Sequence, residues 1–116
     1  MSALQNTTYS SFDYYNVADS TTTPSLTLLT NYDLIIWYAS TDGAGLGFWN
    51  NGTIGNVAIL DYLIGGGRLW VIGSDILYAG GYSAPQTFSP GDFVYDFMGL
   101  DSYNVQSYGN DGSIGV

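Results

Sequence analysis

Two segments of this 116-residue chain are apolar without alternation: Leu34-Ile35-Ile36-Trp37-Tyr38 within "YDLIIWYAS" (32–40), and the body of "RLWVI" (68–72). A strand with one wet face alternates apolar and polar residues. An unbroken run instead marks a strand of a parallel sheet, covered on both faces. Between the two runs, Ile54, Val57, Leu60 and Ile64 recur at helical spacing and define one apolar stripe, with Thr53 placed to cap it. Gly65, the first of three consecutive glycines, is the expected left-handed stop. Strand, helix and strand in this order predict a parallel crossover unit.

The flanks extend the pattern. "SSFDYYNV", ending at Val17, is aromatic and β-branched enough for a short strand. A brief helix follows, with Thr23 as N-cap and Pro24 as first helical residue. "TDGAGLGFWNNG" (41–52) reads as a glycine-rich loop. In "SPGDFVYDFMG" Ser89 caps, Pro90 opens, Asp92 sits three residues after the cap and Gly99 closes. "SYNVQS" (102–107) is a candidate last strand. The expected architecture is one α/β domain over residues 1–116, with a three-layer, mainly parallel sheet and helices on both faces.

Charge narrows the partners. The chain holds ten Asp, no Glu, no Lys and a single Arg, for a net charge of −9. Nucleic acid is disfavoured, because its binding depends on Lys and Arg at phosphates. No apolar run approaches the ~20 residues of a spanning helix, and Met1–Ser10 lacks the basic start and apolar centre of a signal peptide. With no Cys and no His, thiolate chemistry and the commonest general base are both absent. A polar surface of Ser, Thr, Asn and Tyr without lysine points to an extracellular or cell-surface setting. Asn6-Thr7-Thr8 and Asn51-Gly52-Thr53 are glycosylation sequons by pattern, each with chance occurrence as the plainer reading.

"YDLIIW", "LDYLIGGGRLWVIGSDIL" and "FVYDFMGLD", in that order and spacing, resemble the class I glutamine-amidotransferase-like superfamily. The similarity is closest to its non-catalytic version, found inside large secreted bacterial and archaeal multidomain proteins, and it covers roughly residues 11–104. The resemblance implies a flavodoxin-like fold. Catalytic members use a cysteine on a tight turn and a histidine, and neither residue type occurs in this chain. The hydrophobic first strand usual in the family is not matched by "MSALQNTTYSSF", which offers at most a short helix. That strand is central in a flavodoxin-like order, and its loss would leave strand edges unpaired. Either the chain is a piece of a longer protein, or a partner supplies the hydrogen bonds, or the sheet order is rearranged. The resemblance therefore implies a non-enzymatic structural or interaction domain that contacts other copies or domains of the same protein.

Each candidate site residue carries a plainer reading beside the functional one. Ser74 follows the second strand, but a serine nucleophile needs a base and no His or Lys is available; an N-cap fits it better. Asp42 and Asp75 follow the two apolar strands, where open α/β sheets bind ligands. They could hold Ca²⁺ or serve as the acid/base pair of a carbohydrate-active or other hydrolase, or simply be turn residues. Arg68 could clamp a carboxylate, or pair with Asp61. Phe48, Trp49, Tyr78 and Tyr82, read as loop aromatics near one sheet end, form either a binding surface or scattered exposed rings. "GNDGSIG" (109–115) lacks calcium-loop spacing, and "TDGAGLG" lacks a phosphate-binding fingerprint.

Overall fold

The computed structural model describes residues 11–17, 23–38, 49–50, 53–54 and 56–106, with backbone only at 49–50 and 53–54. In chain order it contains α1 (Leu26–Leu29), β1 (Ile35–Tyr38), β2 (Trp49–Asn50), β3 (Thr53–Ile54), α2 (Val57–Ile64) and β4 (Leu69–Ile72). These are followed by α3 (Ile76–Ala79), β5 (Gln86–Thr87), α4 (Phe93–Asp96) and β6 (Ser102–Tyr103).

The two apolar runs lie side by side. β1 and β4 pair in parallel, with Ile35 opposite Leu69 and Tyr38 opposite Ile72. Parallel neighbours need a crossover, and α2 belongs to the one joining these two. The class is therefore α/β. The remaining strands do not join this sheet: β2 pairs with β3 and β5 with β6, each pair antiparallel and two residues long. β2 and β3 flank Asn51-Gly52, a dipeptide favoured in hairpin turns, so the end of the expected 41–52 loop is a strand pair.

The core is built on one side of the parallel pair. Leu29, Trp37, Ile59, Tyr62 and Phe93 form its buried cluster, and Ile35, Leu69 and Val71 pack against it. α1 lies against α2. Side chains alternate between the two faces of a strand, so Ile36, Tyr38, Trp70 and Ile72 point the other way, and all four are exposed. The expected cover on both faces is thus present on one face only among the described residues.

Local details correct several expectations. "SSFDYYNV" forms no strand over 11–17; Val17 packs on the core cluster and Asp13 accepts a hydrogen bond from the Tyr32 hydroxyl (2.7 Å). A strand needs a ladder, and this segment meets none among the described residues. α1 starts two residues later than expected, because Ser25 is its cap and accepts from the Leu28 N–H. α2 is capped by Asn56 rather than Thr53, with Oδ1 accepting from Ala58 and Ile59 N–H. Its buried residues are Ile59 and Tyr62, whereas Val57 and Ile64 are exposed. α4 begins at Phe93, and Asp92, expected within the helix, closes the preceding turn by accepting from the Ser89 N–H at 2.8 Å.

The three glycines end α2 in a shared motif. Gly67 N–H bonds the Tyr62 carbonyl and Gly66 N–H bonds that of Leu63, the paired pattern of a Schellman cap. The left-handed residue is Gly66, at φ +92°, one position beyond the expected Gly65.

Candidate functional site

The carboxyl ends of the parallel strands were the expected ligand end. Beyond β4, Gly73 and the exposed Ser74 lead into Asp75, which occupies the N-cap position of α3. The cap expected at Ser74 therefore falls on Asp75, and Asp75 sits at φ +53° without a side-chain capping bond. Left-handed backbone suits Asp better than most residues, since its short polar side chain tolerates it. Ser74 has no His or Lys in the chain to take its proton. Asp42 lies outside the described residues, as do Phe48, Asn6 and Asn51, and only the backbone of Trp49 is described.

Around Asp75 the surface is tyrosine-rich. Burial, then the Asp75 charge, then Tyr78 raise the Tyr103 hydroxyl above its ordinary pKa. Tyr78 lies on α3 rather than in a loop and is exposed. Tyr82 is half-buried, its ring meeting Phe88 edge-on at 5.0 Å. Burial, followed by the nearby Asp92, raises its pKa. Tyr82 thus belongs to the packing of the 82–88 segment more than to an open platform. No group of three metal-ligating side chains gathers among the described residues.

A hollow lies at the opposite, amino-terminal end of the strands. It measures about 820 Å³ and is lined by Tyr32, Asp33, Asp61, Tyr62, Gly66 and Arg68, among others. The glycine N–H groups that could have cradled an anion are already bonded to helix carbonyls. Arg68 is exposed and, among the described residues, makes no ion pair with Asp61, although both line this hollow. Its backbone is fixed instead: the N–H donates to the Tyr62 hydroxyl (3.2 Å) and the carbonyl accepts from the Ile35 N–H (2.8 Å). Two carboxylates, one guanidinium and engaged amides make a solvated rim without a nucleophile and base in contact.

The third feature is the open face of the parallel pair. Tyr38 is 71% and Trp70 56% exposed, flanked by Ile36 at 37% and Ile72 at 36%. No charged residue occurs in either strand. Contiguous apolar area of this kind marks interaction surfaces on soluble proteins. The unbroken runs carried half of this signal, because they require apolar residues on both faces. The other half lay in the helices: among the described residues, α2 (Val57–Ile64) reaches two turns, whereas α1, α3 and α4 span four residues each. Compared with family models, with curated proteins and with solved structures, the chain finds no match in any of the three.

Proposed function

We propose that this chain is a non-enzymatic structural or interaction domain of an exported protein, docking through the open face of β1 and β4. The observation that carries this reading is the uncharged set Ile36, Tyr38, Trp70 and Ile72, left in water by a parallel pair. Parallel sheets are covered on both faces in α/β proteins, so a neighbouring surface supplies the missing layer. On this reading the unit is a flavodoxin-like sheet whose second face is covered by contact, similar to the non-catalytic amidotransferase-like domains of secreted proteins. The absence of His, Cys and Lys from the sequence supports a role without acid/base or thiol chemistry.

The test exchanges face residues for serine in the isolated chain at submicromolar concentration. Trp70→Ser and Tyr38→Ser are expected to change unfolding free energy by less than about 0.5 kcal/mol, as exposed positions do. They are also expected to abolish binding of an apolar dye. Destabilisation above about 2 kcal/mol would show a buried face instead, and the proposal would fall.

A further inference from the structure

We infer that the occupant of the open face is a second copy of this chain, packed face to face about a two-fold axis. This rests on the docking reading above and adds the identity of the partner.

The pattern of side chains on the face is the first argument. Register places Ile36 beside Trp70 and Tyr38 beside Ile72. The four residues form a checkerboard, with aromatics on one diagonal and isoleucines on the other. In a two-fold interface the same patch meets itself. An axis in the plane between the sheets and running along the strands sets Ile36 against the copy's Trp70, and Tyr38 against the copy's Ile72. An axis across the strands sets Ile36 against the copy's Tyr38, and Trp70 against the copy's Ile72. Either way each bulky ring meets a smaller side chain, the interdigitation that fills the ~10 Å between packed sheets. Both axes keep the strands of the two sheets nearly aligned, as in common sheet-on-sheet packing.

Area is the second argument. Tyr38 and Trp70 are more than half exposed, and with the two isoleucines they offer roughly 400 Å² per copy. Two such faces together bury roughly 800 Å², the size of a weak, reversible contact, so the dimer is expected to form and dissociate in the micromolar range.

Charge is the third. The face carries none, so it has nothing with which to select a charged partner. The net charge of −9 resides elsewhere on each copy and opposes their approach at long range. Self-association on this face therefore strengthens as salt screens that repulsion, the opposite of a complex steered by opposite charges.

Sedimentation velocity of the full chain between 1 and 200 µM, in 50 and 500 mM NaCl, tests the inference. The expected result is a dimer of the 12.5 kDa chain whose dissociation constant falls with salt and rises at least tenfold in Tyr38→Asp. Val57→Ser, on the exposed side of α2, should leave it unchanged. A dimer indifferent to Tyr38→Asp overturns the assigned face. A monomer throughout that still binds apolar dye, and loses it in Trp70→Ser, overturns the second copy as partner and leaves the docking reading standing. A monomer that binds no dye overturns both.

Discussion

The Tyr62 hydroxyl meets the carbonyls of Tyr32 and Arg68 at 3.0 and 3.3 Å and accepts the Arg68 N–H at 3.2 Å, so one side chain joins the approaches to both parallel strands. Its ring also dictates the sequence beside it. A Cβ at Gly67 would collide with Tyr62 ring carbons, whereas Gly66 has open space but a φ of +92°. The neighbouring glycines thus answer to different constraints, close approach at one and left-handed backbone at the other. Tyr62→Phe should cost about 1–2 kcal/mol, since the part-buried Tyr32 carbonyl and Arg68 N–H lose this hydroxyl as partner. Gly67→Ala should cost about 1–3 kcal/mol through overpacking. Gly66→Ala should cost about 1–2 kcal/mol through backbone strain alone. Urea denaturation of the three variants measures each, and a Gly67→Ala chain as stable as wild type would refute the close contact.

Among the elements, α2 separates what pattern reading could reach from what it could not. A helix between the two strands was legible, because apolar residues at helical spacing lead into a glycine stop. Its buried face was not. "VAILDYLI" is apolar nearly all round, so spacing alone does not choose between a stripe through Val57, Leu60 and Ile64 and one through Ile59 and Tyr62. Two polar groups choose: Asn56 caps the first turn from a buried position, and the Tyr62 hydroxyl turns inward to the strand approaches. Ile59→Ala should therefore cost about 2–5 kcal/mol, while Ile64→Ala stays within about 0.5 kcal/mol; equal losses in thermal unfolding would restore the other stripe. The parallel neighbours β1 and β4 were legible for the same reason that their open face was not. Unbroken apolar strands state that both faces are greasy, without stating what covers the second. "SSFDYYNV" had strand composition but no ladder to join, a property of its surroundings rather than of its residues.

For the molecule as a whole, the side chains set an unusual dependence on pH. With no His and no Lys, the side chains that titrate between neutrality and strong alkali are the eleven tyrosines. Burial first, and then a nearby aspartate, raise Tyr82 and Tyr103. The hydrogen bond to Asp13 is the leading cause of the same shift at Tyr32. A raised folded-state pKa means the folded chain holds its proton more tightly than the unfolded chain. The associated stability is complete below about pH 10 and is lost as pH climbs through the folded values. Urea midpoints should thus drop between pH 9 and 11.5, and the drop should be shallower in Tyr82→Phe; identical slopes would remove Tyr82 from the account. Trypsin cuts after Lys or Arg, so this chain offers it one bond, Arg68–Leu69, and Arg68 is held at both its N–H and its carbonyl where β4 begins. A protease can take hold of that bond only after the strand lifts away, so a single nick serves as a built-in gauge of how often the folded chain opens.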